Sequence, residues 1–198
     1  MKPLPTLTGE ARGAGRGFTL IEIMVTITVA GILLAIGVPA FQSFVQNDRD
    51  IGQANSLVGS LNYARSEAIK RGSPTGITVC PSALGLACDV GSTAWAGGWI
   101  VVDTNNADCG GAACPVLQSV PAMSGSNTLT PVGSAKFGIT FLSSGLPTPA
   151  TTNPALTIRI CDTRGAAFAR DVEVNSTGRV ASSQNIGQTV GGAALVCP

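Results

Sequence analysis

One carboxylate stands inside an apolar run. From Phe18 to Phe44 the only charged side chain is Glu22, and Ile23 to Asn47 is 25 residues without a charge. A carboxylate inside a membrane segment costs roughly 2.5 to 3.5 kcal/mol on insertion scales, so Glu22 is a functional candidate whose partner is to be named. Cleavage between Gly17 and Phe18 would create one, the new α-amino group of Phe18, four residues away. Paired between two chains, these groups would fix the axial register of one helix against its neighbour. The plainer alternative is a carboxylate close enough to the headgroups to stay solvated. A second set of reactive groups is the six cysteines, Cys80, Cys88, Cys109, Cys114, Cys161 and Cys197. None has C-x-x-C spacing, which points to structural disulfides formed in an oxidising compartment. Of the fifteen possible connectivities the expected set is Cys80–Cys88 and Cys109–Cys114, each closing a short loop, and Cys161–Cys197, tying the C-terminus to a strand. The chain has no histidine, which removes Ser-His-Asp and Cys-His catalysis and His-ligated zinc. No enzyme activity, metal or cofactor is expected.

The elements that must carry these groups follow from composition. The 198 residues are 44 % hydrophobic, 12 % charged and 5 % aromatic with a net charge of +1. That bounds the chain to one domain plus an appended segment, excludes a disordered tail protein, and removes bulk electrostatic attraction to nucleic acid. Residues 1–17 hold Lys2, Arg12 and Arg16 against Glu10 and several glycines, a short basic leader. The apolar run after it exceeds the roughly 20 residues that cross a bilayer and reads as a transmembrane helix. It is too long for a secretory signal peptide, and the processing-type boundary lies before it rather than after. The basic leader predicts a cytoplasmic N-terminus, with the cysteines on the far, oxidising side.

Pro39 sits within the helical pattern, where a kink or a local melting site is expected. Gly31 and Ala35, beside Ala30 and Gly37, have small-residue spacing suited to close helix contact. Further on, Ile51, Ala54, Leu57, Leu61, Ala64 and Ala68 form one apolar stripe, and Gly72 with Ser73 and Pro74 ends the helix. The remainder carries short β-prone runs, expected as strands near 76–80, 98–103, 116–120, 135–142, 156–161, 167–174, 178–182 and 193–197. The fold class is α+β, a long N-terminal helix packed on an antiparallel sheet, or two packed sheets, in a globular head. The organisation expected is a leader at 1–17, a transmembrane helix at 18–45, an amphipathic continuation at 46–72 and a disulfide-tied β-rich head at 73–198.

At Gly17-Phe18-Thr19-Leu20-Ile21-Glu22 the chain resembles the class III signal of type IV pilins and type II secretion pseudopilins, followed, as there, by an apolar helix with a proline. The blocks Arg65 to Arg71, Ile77-Thr78-Val79-Cys80-Pro81, Trp95 to Asp103, Ile139-Thr140-Phe141 before Gly145, Cys161-Asp162 and Gly178-Arg179-Val180 are similar to the GspH/FimT family of minor pilins and H-type minor pseudopilins. The resemblance implies removal of residues 1–17 by prepilin peptidase, N-methylation of Phe18, and assembly through Phe18, Glu22 and Pro39 with other major and minor pilins or pseudopilins. It implies a single pass of the bacterial inner membrane with a periplasmic head, and a role in initiating or capping a filament. Some members active in natural transformation bind DNA through Gly-Arg-x-Arg. Here the residues are Gly178-Arg179-Val180-Ala181, without the second arginine, so DNA contact at Arg179 is possible but not favoured.

Other groupings have plainer readings beside functional ones. Arg159, Arg164, Arg170 and Arg179, interleaved with Asp162, Asp171 and Glu173, read as a solvated, self-paired strand surface rather than a binding patch. Trp95 and Trp99 could form a ligand platform but read as packing. Asp89, Asp103 and Asp108 are too dispersed for a calcium loop. The expected protein is a membrane-inserted minor pilin of a type IV pilus. Its alternatives are a type II secretion minor pseudopilin and a DNA-binding minor pilin.

Overall fold

A computed structural model describes residues 17–72, 74–89, 92–104, 114–132, 138–148 and 156–197. The described chain divides between Phe44 and Val45 into two units. A single helix, α1 (Leu20–Arg71), runs through the division. Its first turn is capped by Thr19, whose hydroxyl accepts the Glu22 N–H at 3.3 Å. It stops at Gly72, which takes a φ of +62° that favours glycine,. The helix continues through Pro39, so no melted segment interrupts it. A proline removes only one backbone hydrogen bond, and propagation from the turns on either side carries a long helix past it.

In the first unit every side chain from Gly17 to Phe44 is exposed. In the second, Ala54, Leu57, Leu61, Ala64 and Ala68 are buried at three- and four-residue steps, the stripe that an amphipathic helix lays on a core. Two antiparallel sheets receive it. The first has the order β3-β2-β1-β5-β6 and the second β4-β7-β8-β9. The strands are β1 (Ile77–Pro81), β2 (Gly98–Asp103), β3 (Val116–Pro121), β4 (Thr128–Val132), β5 (Ile139–Phe141), β6 (Pro147–Thr148), β7 (Leu156–Cys161), β8 (Arg170–Val174) and β9 (Val180–Ser182). Ile77, Val79, Val101, Trp99 and Phe141 from the first sheet share one apolar cluster with Leu129, Ile158, Ile160, Val172 and Val174 from the second. Trp99 also ties sheet to helix, its indole N–H donating to the buried Ser60 hydroxyl at 3.0 Å.

Strand β2 alternates its faces. Trp99 and Val101 enter the main core, while Ile100 and Val102 join Cys80 in a second cluster against Cys88 and Cys114. Burial on both faces explains the unbroken apolar run Trp99-Ile100-Val101-Val102.

Several strand expectations change. Strand β4 was not anticipated, because Pro131 interrupts its pattern; among the described residues β4 is an edge strand paired with β7 alone, the position where a proline is tolerated. Of the run 135–142, residues 139–141 form β5 and 135–137 lie outside the described residues. Strand β8 begins at Arg170 because Ala166–Phe168 forms a 3-10 turn. No strand forms at 193–197. The chain there makes an isolated bridge between Gln188 and Ala194 around the glycine pair at 191 and 192, a reversal too tight for a ladder.

Candidate assembly site

The N-terminal end of the first unit exposes Phe18 to 77 % and carries Glu22 in the first turn of α1. There the carboxylate stands in the first turn, beside the positive end of the helix dipole,. The spacing Thr19-x-x-Glu22 is that of a capping box. This local signal supplies a reason for an acidic residue here that the apolar context alone does not reveal. Beyond it, Leu33, Leu34, Ile36 and Phe41 are each more than half exposed, and a Cβ on Gly31 or Gly37 would meet nothing within 4 Å. The helix is long and apolar enough to cross a membrane.

In the second unit the arginines expected on a solvated surface are mostly sequestered. Arg159 pairs with the buried Asp171 at 3.1 Å and donates to the Val196 carbonyl at 2.5 Å. Arg164 is shared among Asp162, Asp50 at 3.1 Å and Asn47 at 2.8 Å, with Phe168 beneath its guanidinium at 4.3 Å. Asn127 completes this network, donating to Asp50 and to Gln53 at 2.6 Å each. Burial pushes the Asp50 carboxyl above its ordinary range, against the Asn127 hydrogen bond and Arg164, which favour the ion. Asp171 is likewise raised by burial despite Arg159. Asp50, Asn127 and Gln53 escaped sequence reasoning, since Asp50 and Arg164 stand 114 residues apart. The one available signal was four polar residues, Asp50, Gln53, Ser60 and Glu67, on the same face as the apolar stripe.

Arg179 is exposed. It borders a depression of about 340 Å³ lined by Ser182, Gln184, Asn185, Gln188 and Thr189, with no second cation among its lining residues. Ala181, two residues on, lies opposite Glu173 of β8, so the nearest strand neighbour is acidic. Gly178 has a structural duty. Its φ is +76°, and a Cβ there would collide with the Gly145 carbonyl. Arg65 joins the two turns involved, its Nε donating to the Gly145 carbonyl at 3.1 Å and its Nη2 to the Thr177 carbonyl at 3.2 Å.

Trp95 and Trp99 are both fully buried, so they form no ligand platform. Asp103 pairs with Arg71, and Asp89 accepts the Ala83 N–H. Asp108 lies outside the described residues. Among the described residues no group of three or more potential ligands of the His, Cys, Asp and Glu types is placed to hold a metal. Cys80 is bonded to Cys88 and Cys161 to Cys197. Cys114 is disulfide-bonded, whereas Cys109, and with it the expected Cys109–Cys114 pair, lies outside the described residues.

An apolar helix exposed along its first half, whose second half is buried under two antiparallel sheets, defines the type IV pilin class of fold. Comparison with known proteins narrows the class. The family described as Type II transport protein GspH is matched over residues 53–178, and a prokaryotic N-terminal methylation motif over residues 13–38. The chain belongs to the GspH family. Its fold is similar to that of the type IV minor pilin FimU of Pseudomonas aeruginosa, with a TM-score of 0.52 and 22 % identity over 70 % of this chain and 90 % of that one. In sequence it is similar to the fimbrial protein EcpC of Eikenella corrodens, 44 % identical over 52 residues, 26 % of this chain and 33 % of that protein. A fimbrial protein of Pseudomonas aeruginosa is 39 % identical over 59 residues, 30 % of this chain and 38 % of that protein. The chain thus spans about a third of the length of the curated relatives it matches.

Proposed function

We propose that the protein is a minor pilin that helps to initiate or cap a type IV pilus filament. The observation that carries this reading is the first unit, an apolar helix exposed from end to end with one acidic residue in its first turn. Such a surface needs lipid or other helices around it, and a packed array of like helices supplies the second. In this reading prepilin peptidase removes residues 1–17 and methylates Phe18. Residues 18–45 cross the inner membrane, residues 46–72 continue into the head, and the head of residues 73–198 faces the periplasm. On entry into the filament, Glu22 meets the Phe18 amine of a neighbouring major or minor pilin. A heterologous contact of this kind, repeated by a screw operation, generates an open fibre.

The family description favours a second reading, in which the same chemistry builds the pseudopilus of a type II secretion system. Two measurements test the assembly role. Mass spectrometry of the protein from native membranes is expected to show a chain starting at N-methylated Phe18. Glu22→Ala is expected to leave membrane levels unchanged and to remove the protein from sheared fibres. An intact Met1 terminus in the presence of prepilin peptidase, or normal incorporation of the alanine variant, contradicts it.

A further inference from the structure

Of the nine asparagines in the chain, only Asn175 is followed two residues later by a serine or threonine, in Asn175-Ser176-Thr177, with no proline between. That triplet is the acceptor pattern for an N-linked saccharide, a bulky modification carried on the surface of exported chains. The fold places it at the tip of the hairpin between β8 and β9. The hairpin closes beneath it, with the Asn175 N–H donating to the Arg179 carbonyl at 3.1 Å and the Gly178 N–H to the Asn175 carbonyl at 2.9 Å. Ser176 and Thr177 are exposed and Asn175 partly so, whereas Gly178 is buried. The Asn175 amide is also oriented. Its Oδ1 accepts the Thr177 hydroxyl at 2.7 Å, the Thr177 N–H at 3.1 Å and the Arg179 N–H at 2.9 Å. With the oxygen held inside the turn, Nδ2 is the end of the amide left for chemistry, and among the described residues no hydrogen bond engages it.

The plainer role of Asn175 is to cap its own turn. Capping needs only an acceptor oxygen, which aspartate supplies equally well. Saccharide transfer needs in addition the amide nitrogen, a hydroxyl at 177 and an exposed tip, and this turn has all three. Glu173, partly exposed two residues before Asn175, adds a carboxylate by which a transferase can read more than the triplet. The product also fits, since a saccharide on a hairpin tip extends into solvent and displaces no core side chain. The donor side is met by anchorage. A chain held in a bilayer by its apolar helix stays within reach of a saccharide donor whose lipid is dissolved in the same bilayer.

We propose that Asn175 is the acceptor of an N-linked oligosaccharide, delivered from a polyprenyl diphosphate carrier by a membrane transferase. A bond forms between Asn175 Nδ2 and the anomeric carbon of the first sugar as the bond from that carbon to the diphosphate oxygen breaks. The polyprenyl diphosphate leaves with the electron pair, and one Nδ2 proton passes to a base of the transferase. The proposal rests on the reading above that places the head in the periplasm. The test is peptide mapping by mass spectrometry of the full chain from native membranes, for wild type, Asn175→Asp, Thr177→Val and Thr177→Ser. Wild type and Thr177→Ser are expected to carry a carbohydrate mass on Asn175. In Thr177→Val it is expected to fall at least tenfold, and in Asn175→Asp, which keeps the capping oxygen, to vanish at unchanged melting temperature. A bare Asn175 in the wild-type protein, or a carbohydrate mass that persists in full in Asn175→Asp or Thr177→Val, overturns the proposal. The N-terminus read in the same spectra separates the two ideas. Methylated Phe18 beside a bare Asn175 removes the glycan alone, and an intact Met1 beside a bare Asn175 removes the placement of the head as well.

Discussion

Arg65 and Gly145 are joined by a hydrogen bond of 3.1 Å from the guanidinium Nε to the backbone carbonyl, 80 residues away in sequence. The same side chain reaches the Thr177 carbonyl. One residue of the helix thereby holds the turn between β5 and β6 in the first sheet against the turn between β8 and β9 in the second. The main core is common to both sheets, but this arginine fixes how their ends meet.

Arg65→Ala is expected to destabilise the head by about 2 kcal/mol, the loss of two hydrogen bonds from a charged donor, discounted for partial exposure. Arg65→Lys is expected to recover little, because a single ammonium does not reproduce the fork that spans two carbonyls. Urea denaturation of the three proteins measures this. A lysine variant as stable as wild type contradicts the bridging role.

Arg164→Ala is expected to cost about 3 kcal/mol, because it strands the buried carboxylates of Asp50 and Asp162. Adding Asp50→Asn should recover part of that loss, since the asparagine removes one of the stranded charges. A double-mutant cycle by chemical denaturation reads the coupling, and simple additivity would show that the pair acts independently.

Stability should depend on pH in two opposed ways. Burial raises Asp50 and Asp171 above their ordinary value of 3.8 and Glu173 above 4.5. The folded state binds these protons more tightly than the unfolded chain does. Stability from these groups is therefore greatest at low pH and falls as pH rises from about 4 through their raised values. Glu67 runs the other way. The Arg71 hydrogen bond holds it below 4.5, so its contribution is present above that value and is lost as pH falls through the lowered one. Urea midpoints taken between about pH 3 and pH 7 should show a decline toward neutrality that Asp171→Asn flattens and Glu67→Gln leaves in place. A wild-type midpoint that climbs steadily over that range contradicts the assignment.

Binding of DNA by residues 46–198, the amphipathic helix together with the head, is expected to be weak or absent. That segment holds nine Lys and Arg against nine Asp and Glu, and counterion release needs a local cationic cluster. Arg179 has no second cation among the residues lining its depression. Mobility shift near about 150 mM salt checks this. Low-micromolar binding that Arg179→Ala removes would contradict it. Gly178→Ala is not a useful control, since its Cβ collides with the Gly145 carbonyl and the variant should lose stability whatever the ligand.

The sequence made some of this legible and hid the rest for definable reasons. An apolar run without charge and the β-rich blocks at 98–103 and 156–161 declare themselves locally, and those strands begin and end where the pattern does. Strand β4 was hidden because its proline is acceptable only at a sheet edge, and edge position belongs to topology. Arg164 could be read as paired but not as buried, because its burial depends on the helix turn that carries Asn47 and Asp50. Arg179 and Gly178 looked like one motif. In the fold the glycine answers a backbone collision, and the arginine faces outward.

The bond between Cys161 and Cys197 bears on how the protein yields under tension. Both β8 and β9 lie within the 36-residue span it closes. If a stretched fibre drew a subunit's chain out from its helix end, extension would stop at β7. Roughly 120 Å of potential slack, at about 3.3 Å per residue, would stay locked behind a covalent link. In a reducing solution that reserve becomes available, so the same head should lengthen farther before it resists again.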